Sequence, residues 1–538
     1  MKRNYKHILF PFVLCGLMAA QTSAAPGIVK GRITDTQGKP VAQVVVTDGR
    51  NFTTTDGTGH YRMESDAERQ PLVYISTPSA YKLPATDGIA DRFYQFQKAD
   101  SQENTCNFTL EPRETPTRRF VYIAISDPQV KTDAHLDRFR KETVPDLKCT
   151  VDSFKGQEVV GMAVGDLVWD AMNLVEPYKE CVSHLGLTMF QAIGNHDFNL
   201  KYADMERTAV PESGYGEADY HKAFGPTDYS FNIGQVHVVT MKDIDYQGGK
   251  KYKEAFTPAQ LAWLKKDLSY VPKGSLVFLN LHAPTSNTTA EGSGNTSNTS
   301  ELLDILKDYQ VHIFAGHTHF YENAQPAANI YEHNIGAACG AWWAGHVNRC
   351  GAPNGYLIVE VDDKNVKWHY KATGKPSDYQ FRTYKPGEFK SQPKQVVANI
   401  WDWDPDWKVE WFEDGKPKGP MQPFEDEDQD FITMKTEKQK ATTPAIFSVP
   451  NLPRRPEPSR SKRLTVFMKT THNKSNYKPD KNEHLSKNHC YSLSLPRRTK
   501  HPGTDSSHRP SRLLESRRFG TKLIGLFKKS GRSESLRE

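Results

Sequence analysis

The chain has 538 residues, 37% of them hydrophobic and 25% charged, and a formal net charge of +6. This length exceeds what one hydrophobic core supports, so about three domains are expected. Residues 451–538 carry 22 Lys and Arg against 7 Asp and Glu, which leaves residues 1–450 net acidic. An acidic body argues against nucleic-acid binding, and none is expected.

The first 24 residues have the features of a secretory signal peptide. Lys2, Arg3 and Lys6 precede an apolar run at 8–20, and small residues lead up to Ala24. The run is shorter than the roughly 20 apolar residues that span a bilayer, and no later run is long enough. We therefore expect cleavage after Ala24, no transmembrane segment in the mature protein, and a periplasmic or cell-surface location.

Residues 25–112 predict a small β-sandwich, because short strands alternate there with Gly, Asp and Thr turns. The glycine, proline and aspartate pattern from Gly31 to Val41, followed by a second one from Thr55 to Tyr61, resembles the carboxypeptidase-regulatory-like module. The resemblance implies a domain that spaces or docks an enzyme and carries no chemistry.

Residues 113–388 predict an α/β domain, because apolar runs alternate with helical patterns. Helices are expected at four stretches: 134–154, 174–185, 258–268 and 301–308. Thr257 and Ser300 are the expected N-caps of the last two helices. Buried strands are expected at five apolar runs: 120–125, 159–164, 187–193, 276–279 and 311–314. Ligands of α/β folds bind at the carboxyl ends of strands, so the loops after these runs are expected to form one site.

Each of the five loops carries residues of metal-ligand type. In chain order they are Asp127 and Gln129, Gly165-Asp166, Gly194-Asn195-His196-Asp197, His282, and Gly316-His317-Thr318-His319. This ordered set resembles the calcineurin-like metallophosphoesterase superfamily. The resemblance implies a four-layer α/β/β/α sandwich, here flanked by N-terminal and C-terminal β-sandwich domains, and a hydrolase that uses two divalent metal ions.

The resemblance also implies a role for each residue. The first metal ion would be held by Asp127, Gln129, Asp166 and His319, and the second by Asn195, His282, His317 and the shared Asp166. Nitrogen and oxygen ligands suit iron, manganese or zinc. A hydroxide shared by the two ions would attack phosphorus. His196 would protonate the leaving oxygen or steady the phosphoryl group, and Asp197 would orient it. Asp170 is either a supporting carboxylate or a helix cap.

Gln129 stands where the family usually has histidine, and an amide oxygen binds a cation more weakly than imidazole does. We expect an active phosphoesterase that binds its first metal ion less tightly. The alternative is a non-catalytic cell-envelope binding module with a degenerate metal site. No basic residue is evident in the motif loops, which favours phosphodiesters over phosphomonoesters.

The domain combination resembles the exported three-domain phosphoesterases of Bacteroidota, which implies a phosphorylated small molecule or an envelope component as substrate. Trp169, Trp342 and Trp343 are candidates for binding its organic portion, with a place in the core as the alternative. His346 is a candidate for the phosphate rim, with an exposed loop position as the alternative. The sequence does not define the oligomeric state.

Residues 389–450 predict a smaller β domain with a turn at 413–415. Residues 451–538 predict a basic, disordered tail, because Arg, Lys, Ser, His and Pro dominate there. Export permits disulfides, so Cys339 and Cys350 are either bridged or unpaired.

Overall fold

The computed structural model describes residues 27–199, 216–248, 250–286, 294–403 and 407–434, and the backbone of three further strands. Every described residue lies in one compact unit of the chain, Met1–Ser494. The expected signal peptide at 1–24 and most of the expected tail at 451–538 lie outside the described residues. Within the described parts of the chain, no helix is long and apolar enough to cross a membrane.

The N-terminal region forms two small sheets, and its strand at His60–Ser65 buries every second side chain. Its strands are β1 Gly27–Asp35, β2 Val45–Thr47, β3 Phe52–Thr54, β4 His60–Ser65, β5 Leu72–Ser76, β6 Ala85–Thr86, β7 Ile89–Ala90, β8 Tyr94–Phe96, β9 Glu103–Thr105 and β10 Phe108–Leu110. One sheet has the order β10-β1-β4 with β9 also paired to β1, and the other has the order β3-β2-β5-β8.

The central region alternates strands and helices as expected. Its strands are β11 Arg119–Ile125, β12 Glu158–Val164, β13 Thr188–Ala192, β14 Tyr229–Ile233, β15 Val236–Thr240, β16 Ile244–Gly248, β17 Lys251–Glu254, β18 Leu276–Asn280, β19 Gln310–Ala315, β20 Glu322–Ala327, β21 Ile330–Asn334, β22 Gly355–Asp362 and β23 Asn365–Ala372. Its helices are α1 Asp133–Arg138, α2 Val144–Ser153, α3 Val175–Val182, α4 Ala218–Phe224, α5 Pro258–Leu268 and α6 Thr299–Leu306. A π-helical turn, Phe139–Thr143, joins α1 to α2.

All five strands expected ahead of the motif loops are confirmed, as β11, β12, β13, β18 and β19. Thr257 is confirmed as the N-cap of α5, where it forms a capping box with Gln260. Ser300 is wrong as the cap of α6. That helix begins at Thr299, and Asn298 before it makes no side-chain capping bond.

Two sheets face each other in the central region. The first has the order β23-β22-β11-β12-β13-β7-β6 and the second β14-β15-β18-β19-β21-β20. Between them, Phe278 packs against Tyr122 with ring centroids 5.3 Å apart, and Phe190 stacks on Phe231 at 4.2 Å. Helices α1 to α3 cover the outer face of the first sheet, and α5 and α6 cover that of the second. The expected α/β fold class is confirmed.

Strand pairing crosses the boundary that the sequence predicts near residue 112. Strand β7 of the N-terminal region pairs in parallel with β13 at Ile89 and Met189. The β6–β7 hairpin therefore extends the edge of the central sheet, so the N-terminal region supports that sheet directly.

The C-terminal region forms one path of seven paired strands, and the sandwich expected there stays a prediction. Its elements are β24 Phe381–Tyr384, β25 Val397–Ile400, β26 Lys408–Glu413, β27 Lys416–Asp426, α7 Gln429–Met434, β28 Ala445–Pro450, β29 Leu464–Lys469 and β30 His489–Leu493. The strand order is β24-β25-β28-β27-β26-β29-β30. The expected turn at 413–415 is confirmed, with Asp414 and Gly415 in the left-handed region between β26 and β27.

Strands β29 and β30 correct the expectation that residues 451–538 lack strands. Strand β29 pairs with β26, and β30 pairs with β29. The stretch Leu464-Thr465-Val466-Phe467-Met468 is apolar and β-prone, and it can extend a sheet edge although its surroundings are basic. The composition of the whole segment concealed this short run.

Candidate active site

The candidate ligands lie at the carboxyl ends of parallel strands. Strands β11, β12 and β13 are parallel neighbours in the first sheet, and β18 and β19 are parallel neighbours in the second. Neighbouring parallel strands end at the same edge, and the two sheets face each other. The five motif loops therefore meet at one place.

The backbone of these loops is strained. Asp127, Gln129, Asp166, His317 and His319 have φ of 47°, 41°, 51°, 68° and 57°, in the left-handed region that residues other than glycine rarely adopt. Such strain concentrates at functional sites, where the surrounding structure holds it. Five of the seven candidate metal ligands share this conformation, so their loops are shaped for something other than local stability.

One group of ligand atoms surrounds the ring of His282. Its Nε2 lies 3.0 Å from Asn195 Oδ1, 3.1 Å from His317 Nδ1 and 3.3 Å from Asp166 Oδ1. Its other nitrogen, Nδ1, donates to the Val164 carbonyl at 2.9 Å, which fixes the ring so that Nε2 faces the site. The ligand atoms of Asp166, His282 and His317 all lie within 4.8 Å of one another.

A second group pairs Asp127 with His319. Asp127 Oδ1 lies 3.5 Å from His319 Nε2, and both atoms are buried without a hydrogen-bond partner among the described residues. His319 Nδ1 donates to the Gly340 carbonyl at 2.7 Å, so Nε2 is the atom presented to the site. Buried polar atoms are seldom left unpaired in this way, and a cation between them would satisfy both.

Asp166 stands between the two groups. Its Oδ1 faces His282, and its Oδ2 accepts a hydrogen bond of 2.6 Å from Gln129 Nε2. In this orientation Gln129 directs its amide nitrogen at Asp166, while its oxygen lies 3.8 Å from the Cys339 sulfur. Half a turn of the amide exchanges the two atoms and presents the oxygen instead.

The electrostatics of the site favour added positive charge. Burial alone raises the pKa of Asp127, but His319 and His282 outweigh it and hold that pKa below its usual range. Burial alone lowers the pKa of His282, but Asp166 outweighs it and raises the pKa to about 10. The buried carboxylates thus raise the pKa values of His282 and His319 and favour their protonated forms where no cation is present. Nitrogen and oxygen donors in such a field fit divalent metal ions.

His196 lies at the rim of the site and is held by Asp170. Its Nδ1 is 3.0 Å from Asp170 Oδ1, and the other oxygen of Asp170 is 2.6 Å from Lys250 Nζ. Asp197 does not take the orienting role expected for it. Its carboxylate accepts hydrogen bonds from the backbone amides of Gly194, Leu167 and Val168, and so ties two motif loops together. Of the two roles expected for Asp170, the structure shows that of a supporting carboxylate, which contacts His196.

The hairpin of β16 and β17 was not predicted from the sequence. Its Glu254 lies 3.4 Å from His317 Nε2, which leaves Nδ1 of that ring to face the other ligands. Its turn carries Lys250, the partner of Asp170. Glu254 stands in a Lys-Tyr-Lys-Glu stretch outside every motif, and no local signal marks it.

The candidate substrate-binding residues separate into two groups. Trp169 and Trp342 are half-buried beside the site, where their rings lie 5.2 Å from His196 and 4.9 Å from His319. Trp343 is buried and donates to the Pro128 carbonyl, so it belongs to the core of the site wall. His346 is exposed and contacts Arg138 and Glu142, away from the candidate ligands.

Cys339 and Cys350 are both buried free thiols, so the bridge that the sequence allowed is not formed. Cys339 lies beside Gln129 and His319, and Cys350 accepts a hydrogen bond from the Tyr321 amide. The two thiols therefore have separate surroundings.

Three sequence profiles of one family match the chain. Residues 121–321 match "Calcineurin-like phosphoesterase", residues 27–113 match "N terminal of Calcineurin-like phosphoesterase", and residues 332–498 match "C terminal of Calcineurin-like phosphoesterase". The first of these spans every candidate ligand. No curated protein matches the chain.

Several solved structures resemble the chain at low identity. A dimetal phosphatase from Danio rerio has 13% identity and a TM-score of 0.33, covering 46% of this chain and 98% of its own. A 5'-nucleotidase from Candida albicans SC5314 has 11% identity and a TM-score of 0.30, and the match covers 48% of this chain and 52% of the nucleotidase. A metallophosphoesterase from Sphaerobacter thermophilus has 15% identity and a TM-score of 0.22, and the match covers 47% of this chain and 89% of that protein.

Proposed function

Since this chain belongs to the calcineurin-like phosphoesterase family and is a hydrolase of phosphoester bonds that uses divalent metal ions, we propose that it works with two ions bound at the five motif loops. The observation that carries the proposal is the position of Asp166. Its carboxylate lies between the His282 group and the residues around Gln129, as a bridge between two ions requires.

Asp127, Gln129 and His319 would hold one ion, and Asn195, His282 and His317 the other. Iron, manganese and zinc all suit these donors. When bound, such ions supply Lewis-acid charge to phosphate oxygens and lower the pKa of water. The chain itself supplies a proton donor at the rim. Asp170 occupies Nδ1 of His196, so Nε2 is the atom that would protonate a leaving oxygen.

The substrate would be a phosphorylated small molecule or an envelope component, hydrolysed as a phosphomonoester or phosphodiester. We also propose that the protein is exported, on the strength of the charged and apolar pattern in residues 2–24. The mass of the mature protein, recovered from cells that express the full chain, tests export by showing whether cleavage occurs after Ala24.

The test of activity is hydrolysis of p-nitrophenyl phosphate and bis-p-nitrophenyl phosphate by the full chain supplied with manganese, iron or zinc. We expect turnover of at least one ester, its loss in Asp166→Asn, and a fall in kcat of about tenfold to a hundredfold in Asp170→Asn with little change in KM. Asp137→Asn is the matched control, because Asp137 is a surface residue that pairs with Arg140 and Lys141.

The alternative of a non-catalytic binding module rests on Gln129, whose amide hydrogen-bonds to Asp166 where the family usually has a histidine ligand. A folded protein that binds metal ions and turns over neither ester would support that alternative and contradict the proposed activity.

A further inference from the structure

Backbone hydrogen bonds fix three motif loops side by side. Val130 and Val168 form a parallel bridge, and the Trp169 amide donates to the Val130 carbonyl at 3.0 Å. The Asp170 amide in turn donates to the His196 carbonyl at 3.0 Å. The segment after Gln129 is therefore in register with the segment that carries Trp169, and both adjoin the loop of His196.

This register places Lys131 over the indole of Trp169. The ammonium group lies 4.3 Å from the ring centroid, in a cation–π contact that limits where the side chain points. The same indole lies 5.2 Å from the His196 ring. Lys131 is exposed, so its charge is open to a substrate that reaches His196.

Among the described residues of this rim, Lys250 and Asp170 offset each other's charge. Lys250 is exposed and Asp170 is half-buried. Lys250 Nζ lies 2.6 Å from the Asp170 carboxylate, so the two side chains form an ion pair. Lys131 forms no ion pair with the residues that the structure describes, and its positive charge remains on the His196 side. On the opposite side of the ligands, Glu254 beside His317 contributes negative charge. The rim is therefore positive near His196 and negative near His317.

We propose that Lys131 is a specificity-determining residue that favours phosphomonoesters over phosphodiesters. The inference rests on the proposed phosphoesterase function. A monoester has a second ionisation with a pKa near 6 and is a dianion at pH 8, whereas a diester carries one charge. A cation near His196 attracts the extra charge. The sequence analysis favoured diesters because no basic residue was evident in the motif loops. Lys131 is such a basic residue, and it lies beside the loop of His196.

The test compares kcat/KM for p-nitrophenyl phosphate and bis-p-nitrophenyl phosphate at pH 8, in wild type, Lys131→Met and Lys131→Arg. We expect Lys131→Met to reduce the monoester-to-diester ratio about threefold to fivefold, mainly through KM for the monoester. Lys131→Arg should restore the ratio. High salt should reduce the ratio in wild type and change it little in Lys131→Met.

Lys266→Met is the matched control. Lys266 is another exposed lysine over an aromatic ring, 4.9 Å from the centroid of Tyr270, but it lies on α5 and outside the motif loops. If wild type hydrolyses the esters, the proposed function stands. An unchanged monoester-to-diester ratio in Lys131→Met, or an equal change of that ratio in Lys266→Met, would then overturn the inference about Lys131. Absence of turnover of both esters by wild type would instead contradict the proposed function.

Discussion

Glu254 controls the orientation of a candidate metal ligand. Its carboxylate lies 3.4 Å from Nε2 of His317, and His317 in turn holds down the pKa of Glu254. A ligand histidine whose outer nitrogen loses its partner binds metal more weakly. We expect Glu254→Ala to lower metal affinity about tenfold, as measured by competition with a chelator. Asp245→Ala, on the partner strand of the same hairpin, should leave affinity unchanged, and a similar loss in both variants would contradict this role.

Single residues were predictable where a local pattern marks them. Asp166 and His282 each follow a buried strand directly, so sequence alone placed them in the site. Glu254 and Lys250 reach it only because a hairpin folds across the ligands, and such a contact has no local signature. The roles of Asp170 and Asp197 depend on which loop each carboxylate meets after folding. The family resemblance therefore implied the orienting role for Asp197 and left the role of Asp170 open.

At the scale of elements, strand β21 carries a buried acid that links stability to pH. Glu332 accepts hydrogen bonds from the Thr285 amide and hydroxyl, beyond the end of β18. Burial raises its pKa to about 7. A carboxyl whose pKa is raised by folding binds more protons in the native state than in the unfolded state, so stability falls as pH rises from its ordinary pKa to 7.

We therefore expect wild type to lose up to about 2–3 kcal/mol of unfolding free energy through Glu332 between pH 5 and pH 8. Glu332→Gln lacks this titration, so its thermal midpoint should fall less than that of wild type over the same range. Glu360→Gln, on an exposed position of β22, is the control and should behave as wild type does. A parallel fall in wild type and Glu332→Gln would contradict the expectation.

Elements with a continuous apolar run or a cap were predictable from sequence, as β11, β12 and α5 show. The β6–β7 hairpin was not, because each of its strands has two residues and gains its place only by pairing with β13. The extension of the C-terminal sheet by β29 and β30 was also missed, since these strands follow long gaps in the sequence.

At the scale of the whole molecule, the C-terminal region supports the ligand His319. Phe431 and Met434 of α7 pack against Ala341, Trp342 and Val347. Trp342 in the same loop stacks on His319 with centroids 4.9 Å apart. Arg382 adds an ion pair with Asp428 and a hydrogen bond of 3.2 Å to the Gly351 carbonyl. The loop that contains Trp342 and contacts His319 is therefore held in place by a part of the chain that is distant in sequence.

We expect Phe431→Ala to lower kcat about tenfold through displacement of this loop, with recovery in Phe431→Leu. Val409→Ala is the control, because Val409 packs in a separate cluster of the C-terminal sheet. Equal losses of activity in Phe431→Ala and Val409→Ala would indicate general destabilisation and contradict this support of the loop.

The most direct test of the proposed two-ion site is the metal content of the full chain purified without chelator, measured by elemental analysis for wild type and Asp166→Asn. We expect two divalent ions per wild-type chain and one or fewer in Asp166→Asn, with phosphoester turnover following metal content. Folded wild type that retains no metal, and stays inactive after manganese, iron or zinc is added, would contradict it.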